Sequence, residues 1–233
     1  MSRKVADISF QVVRSRRRTA DVIIERDGSV QVRAPTWVND DQIAEVVEAK
    51  RRWIYQNLAE WRCLNATRVL REYKNGEGFL YLGRAYRLQL ASDQVEKLLL
   101  KNGRFCLRRD LVDAGGIDLA RAAFQAFYSE RGRERIRERV KHFAPKVGEN
   151  PRAIEVRELG HRWAACSAER SLAFHWKCMM APPTVLDYIV VHELCHFHHF
   201  DHTDLFWNEV DKVLPNFRER KEWLRKYGAG MDV

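Results

Sequence analysis

The chain has no long hydrophobic run. Nowhere do its 233 residues contain the roughly 18 consecutive uncharged apolar residues that a membrane span needs, so a helical membrane protein is excluded and no membrane partner is expected. The start, Met1-Ser2-Arg3-Lys4, leads into an alternating strand pattern instead of the apolar core of a secretory signal. Cysteine is scarce and unpatterned: Cys63, Cys106, Cys166, Cys178 and Cys195 are odd in number and form no CxxC pair. Reduced thiols in a cytoplasmic protein, not a disulfide framework, are the expectation. Internal repeats and low-complexity segments are absent too. What remains is ordinary for a soluble globular chain, 45% apolar and 31% charged, and long enough for one large domain or two small ones.

Charge is unevenly placed. Residues 1–150 carry 30 Lys+Arg against 20 Asp+Glu, and residues 151–233 carry 11 against 12. The surplus favours an acidic partner, nucleic acid included, through the N-terminal region. The arginines of 131–139, interleaved with Glu130, Glu134 and Glu138, suit a solvated helix with i,i+4 pairs. The run Arg14-Ser15-Arg16-Arg17-Arg18 is the better candidate for a phosphate or acidic-peptide contact.

The pattern predicts an α+β chain. Ile8, Phe10 and Val12 alternate as a half-buried strand, and the apolar runs at 22–25 and 30–33 flank the hairpin turn Asp27-Gly28. Asn39 with Gln42 makes a capping box and Val38 with Ile43 a hydrophobic staple, opening one helix that runs to about Arg62. Two further hairpins turn at Gly83 and at Asn102-Gly103. A long helix is expected from Asp118 to about Phe143, closed by Pro145 and Gly148. Strands at 154–157 and 172–176 precede a helix opened by Pro182-Pro183, with Asp187 near its positive end. Thr203 and Asn216 cap the last two helices. The expected division is a β-rich accessory region over 1–115 and a core over 116–233 whose helix carries His192-Glu193-Leu194-Cys195-His196, the pattern of a zincin-like core.

One segment specifies a chemistry. Val191-His192-Glu193-Leu194-Cys195-His196 is an HExxH pattern in an apolar helical stretch. Residues four apart project one turn above each other, which suits two imidazoles sharing a tetrahedral zinc ion (Zn2+). Glu193 is angled away from ligation but can reach a water beside the ion, so it reads as the general base of a hydrolase. A hydrolytic zinc site takes three protein ligands, and five of the eight histidines lie between 192 and 202. His198 falls on the wrong side of a continuing helix and His199 one turn short, whereas His202 can fold back if the chain turns at Phe200-Asp201. Glu209 is the rival third ligand. His175, Tyr188, His161 and Arg162 are candidate oxyanion donors, and Asp187, Asp201 or Asp204 could orient an imidazole. The bland alternative, a chance match on a buried helix, is disfavoured because Tyr188, Ile189, Val190, Val191 and Leu194 would make Glu193 costly to bury without a use.

With these residues in hand the chain resembles the YgjP-like metallopeptidases, relatives of the SprT-like and WLM zinc proteases. The resemblance spans almost the whole chain, from Arg14-Ser15-Arg16-Arg17 and Tyr81-Leu82-Gly83-Arg84-Ala85-Tyr86 to Trp163-Ala164-Ala165-Cys166. It is most specific over 186–196, Asp201-His202-Thr203 and Phe206-Trp207. It implies zinc held by His192, His196 and His202, Glu193 as the catalytic residue, and a peptide or protein substrate. Two departures stand out: the family's Trp-Gly-Ser-Cys is Trp163-Ala164-Ala165-Cys166 here, and its Asn-His-Ser is Asp201-His202-Thr203. The metzincin pattern is set aside, since His199 stands where that family needs Gly and no Met-turn follows. The expected function is zinc-dependent peptide hydrolysis. The alternatives are a nucleic-acid-associated protease of the SprT-like kind, or a non-catalytic binding module with structural zinc.

Overall fold

The structure, a computed structural model, describes residues 2–25, 28–65, 71–114, 116–160 and 162–233, with the side chains of 60–65 left out. Packing divides the chain into Met1–Arg68 and Val69–Val233.

The first unit is a four-stranded sheet backed by helices. Strands β1 (Ser2–Val5), β2 (Ile8–Ser15), β3 (Asp21–Ile24) and β4 (Val30–Pro35) lie in the order β1-β2-β4-β3. The two outer pairs are antiparallel, and the central pair is parallel with Ser15 opposite Pro35. Alternation puts Ile8, Phe10, Val22 and Val32 on the covered face, where they meet Ile43, Val47 and Ile54. The capping box forms as expected: Gln42 N–H donates to Asn39 Oδ1 at 2.8 Å and Asn39 N–H to Gln42 Oε1 at 3.0 Å. The expected single helix is two, α1 (Asp40–Ala49) and α2 (Arg51–Asn65), broken at Lys50. Ile43, Val47, Ile54 and Leu58 all still face one core, so the apolar period runs through the bend and conceals it. The turn residue Asp27 lies outside the described residues.

The basic run is partly consumed by structure. Arg14 donates to the Val38 carbonyl and to Asp40, and Arg17 and Arg33 each grip the Asp21 carboxylate with two donors. Burial works to raise Asp21, but these hydrogen bonds outweigh it and hold the group at about 2.

The second unit opens with a sheet of the same connectivity, β5 (Gly78–Tyr81), β6 (Arg84–Ala91), β7 (Leu98–Lys101) and β8 (Arg104–Arg108), ordered β5-β6-β8-β7 with β6 and β8 parallel. This sheet falls inside the expected accessory region 1–115, yet it shares the second unit's core. Phe79 stacks on Phe124 at 4.3 Å between ring centres and Phe105 meets it edge-on at 5.2 Å, and Phe124 belongs to the long helix. After the short α3 (Asp110–Asp113), that helix, α4, spans Gly116–Val147. Pro145 does not close it but sits in its last turn; Gly148, at φ 81°, ends it, its N–H reaching the Ala144 carbonyl at 2.9 Å. A third sheet, β9 (Ala153–Arg157), β10 (Ala164–Cys166) and β11 (Ser171–His175), has the order β10-β11-β9, leaving β10 at an edge. Helices α5 (Pro183–Cys195), α6 (Asp204–Val213) and α7 (Phe217–Tyr227) complete the fold. Thr203 and Asn216 stand at the starts of α6 and α7, but neither side chain makes the expected cap bond. Among the described residues no helix is long and apolar enough to cross a membrane.

Candidate metal centre

Helix α5 is apolar nearly all round, with Val185, Leu186, Tyr188, Ile189, Val190, Val191, Leu194 and Cys195 buried. Such a helix is stable only inside a core, so its few polar side chains are held rigidly. Two contacts fix where it starts and how it lies. The β5–β6 turn donates Leu82 N–H to the Met179 carbonyl at 2.8 Å and Gly83 N–H to the Met180 carbonyl at 3.1 Å, just ahead of Pro182, the helix N-cap. Asp187, expected to serve the helix dipole or an imidazole, instead receives two hydrogen bonds from Arg139 of α4, at 2.6 and 3.0 Å. Arg139 is therefore a bridge between helices and not part of a solvated ladder.

The helix ends at Cys195. His196 is the C-cap, and the N–H groups of Phe197, His198 and His199 turn back onto the Leu194 and Cys195 carbonyls. No residue of this turn has positive φ, so the glycine that the metzincin pattern demands is not needed. The reversal brings His202 onto the helix. His192 Nε2 lies 3.2 Å from His196 Nε2 and 3.0 Å from His202 Nε2. Among the described residues these three histidines are the group placed to hold a metal ion.

The arrangement passes a geometric test for zinc. Tetrahedral nitrogen ligands about 2.05 Å from an ion stand about 3.3 Å apart, close to the separations found. Tautomers agree as well. His196 Nδ1 donates to the His199 carbonyl at 3.0 Å, leaving Nε2 with its lone pair. Burial, helped by His196 and His202, pushes His192 down to about 3, and burial also lowers His202. Neutral imidazoles are what a metal requires. His199 thus contributes its carbonyl; His198 turns its ring to the Val147 carbonyl at 3.0 Å, and Glu209 pairs with Lys212 at 2.6 Å.

Glu193 is only 6% exposed. Burial lifts its carboxyl to about 8 against the opposing pull of Arg162; a divalent cation nearby acts in the same sense as Arg162, favouring the ionised form. Burial, and then the Glu193 charge, also raises the Cys166 thiol to about 11; its edge strand β10 packs against α5, the helix that carries Glu193.

Of the oxyanion candidates, His175 is spent elsewhere. Its Nδ1 accepts from Lys177 N–H at 3.0 Å, so Nε2 carries the proton and donates to Glu158 at 2.6 Å, where Trp176 Nε1 also donates at 2.9 Å. His161 lies outside the described residues. Tyr188 meets the His192 ring edge-on at 5.7 Å between centres, and burial holds its phenol far above the usual range. Two aromatic residues escaped the site reading. Phe206, fully buried, lies 4.6–5.0 Å from all three imidazoles, and Trp207 stacks on His202 at 5.5 Å and 23°. Their apolar spacing marks them as core, which they also are; only proximity shows that they wall the histidines.

Residues 18–227 match the YgjP-like metallopeptidase domain. The chain belongs to that family. A YgjP-like metallopeptidase needs a metal ion, and the triad is the described cluster that could hold it. No curated protein matches the chain. The crystal structure of the metallopeptidase zymogen of Pyrococcus abyssi abylysin is similar at 22% identity over 38% of this YgjP-like chain and 90% of its own, with a TM-score of 0.36.

Proposed function

We propose that the protein is a zinc-dependent peptidase in which His192, His196 and His202 hold the ion and Glu193 is the general base. The convergence of three imidazole Nε2 atoms, with a buried carboxylate next to His192 in the chain, carries the reading. His192, His196 and His202 would hold the ion, which would supply Lewis acidity, acidifying a water toward about 7 and polarising the scissile carbonyl. Glu193 then takes a proton from the attacking water and returns it to the leaving nitrogen. The His199 carbonyl keeps His196 in its tautomer, and Phe206 and Trp207 restrict the rings. A peptide fits the surroundings: β10, packed against the helix that carries Glu193, offers an unpaired strand edge, and Phe200 and Leu205, 70% and 63% exposed, flank His202 in the chain. A structural zinc site takes four protein ligands, whereas three gather here among the described residues. The test is metal content and peptide cleavage of the wild type beside Glu193→Gln, which should hold zinc and lose about 10²–10⁴-fold in rate. Retained cleavage, or a wild type without zinc, overturns the reading.

The second reading, a protease tethered to nucleic acid, has support in the first unit. Arg16 and Arg18 are exposed and, among the described residues, form no ion pair. Parallel pairing of Ser15 with Pro35 brings the loop after β2 to the same sheet end as Trp37, 67% exposed. Exposed indole with guanidinium suits unpaired bases and phosphate. Oligonucleotide affinity should fall steeply with salt and with Arg16→Gln/Arg18→Gln; salt-independent or absent binding removes this reading.

A further inference from the structure

One cation at the metal triad has no role in hydrolysis as set out above. Lys221 of α7 holds its ammonium 4.0 Å from the centre of the Trp207 ring. Trp207 in turn stacks on His202 and lies 5.9 Å from the His192 ring. A fixed cation beside a place for a dication is electrostatically unfavourable unless an anion comes near both.

The neighbouring arginines of α7 already have oxygen acceptors. Arg225 grips Glu222 at 2.8 and 2.6 Å, Arg220 reaches the Thr184 carbonyl at 3.2 Å, and Arg218 faces Asp211 at 3.5 Å. Lys221 has no such acceptor among the described residues; the indole face holds it in place by cation–π attraction. Its charge is therefore positioned but unanswered by any oxygen acceptor among the described residues.

We propose that Lys221, seated on Trp207, is a specificity-determining residue that receives a carboxylate of the peptide substrate, either an acidic side chain or the free chain end. The proposal rests on the peptidase reading. A lone ammonium is a point charge suited to one carboxylate, whereas phosphate recognition usually recruits a fork of donors or several of them.

The test compares three matched peptides: one with an internal Asp and an amidated end, one with a free C-terminal carboxylate and no acid, and one neutral and amidated. Lys221→Met keeps an unbranched apolar stem for Trp207 and removes the charge; Lys226→Met, on the same helix but over Tyr227, is the control. Lys221→Met should raise KM for the preferred carboxylate peptide about three- to tenfold with a smaller change in kcat, and zinc content should not change. Whichever carboxylate peptide responds identifies the source. Calorimetric binding of the same peptides to the Glu193→Gln protein, with and without Lys221→Met, provides a readout apart from turnover. Equal loss for all three peptides, or no carboxylate preference in the wild type, overturns the proposal. If the zinc-loaded wild type cleaves nothing while Glu193→Gln still binds a carboxylate peptide through Lys221, the peptidase reading falls and the carboxylate subsite stands.

Discussion

The start of the metal helix should be unusually sensitive to one methyl group. Gly83 has φ 77°, and a Cβ built there would lie 2.9 Å from Pro182 Cα and 3.0 Å from its Cγ. The left-handed conformation alone costs a non-glycine residue about 1 kcal/mol or somewhat more. Relieving a contact with backbone adds about 1–3 kcal/mol. Gly83→Ala should therefore destabilise the second unit by about 2–4 kcal/mol, lowering its Tm by roughly 5–15 °C for a unit of this size. Gly103 offers an internal control. It occupies the matching turn position at φ 71°, with nothing within 4 Å of a built Cβ, so Gly103→Ala should cost only the conformational part, about 1 kcal/mol. Urea unfolding of both variants gives the difference directly. Because Pro182 caps α5, Gly83→Ala should also weaken zinc binding, measured by competition with a chelator, while Gly103→Ala should not. Equal costs for the two alanines would refute the claim that the hairpin turn seats the metal helix.

Other expectations follow from the same geometry. Asp187→Ala strands the Arg139 guanidinium, which with Asp187 is mostly buried (24% and 16% exposed), and should cost about 2–3 kcal/mol by denaturant unfolding; Arg139→Met/Asp187→Leu should recover part of it. Asp21 is held at about 2 in the folded protein, against an ordinary value of 3.8. Its contribution is thus complete above about pH 5 and is lost as pH falls from about 4 to 2, amounting to about 1–2 kcal/mol after allowance for exposure. Asp21→Asn should flatten that acid limb in the first unit's unfolding curve. Stripping the ion with a chelator should lower the second unit's stability by about 2.7 kcal/mol relative to protein held at 100 Kd of zinc, and His202→Ala should make stability indifferent to zinc at that concentration.

Much was legible in the sequence where one local rule sufficed. The Asn39–Gln42 box, the Asn102-Gly103 hairpin and the Pro183 helix start each depend on residues a few positions apart. His192 and His196 needed only the helical repeat, and His202 only a chain reversal before Thr203. Long-range partners were not legible. Asp187 looked like a dipole residue until Arg139 was found 48 positions away, and Arg14 looked like a free cation until Asp40, 26 positions on, claimed it. The bend at Lys50 was invisible because both helices serve one apolar face.

The amino-acid order by itself determined the candidate site: two imidazoles one helical turn apart and a third histidine after a turn as possible ligands, with a carboxylate between the first two. Those relations follow from backbone geometry over about ten residues, and no distant contact is required to establish them. Tertiary structure alone decided which neighbours surround the donors. Phe206 and Trp207 against the rings, the His199 carbonyl on His196, Gly83 against Pro182 and Lys221 over Trp207 arise because buried side chains must fill space and satisfy polar groups against whatever the fold brings near.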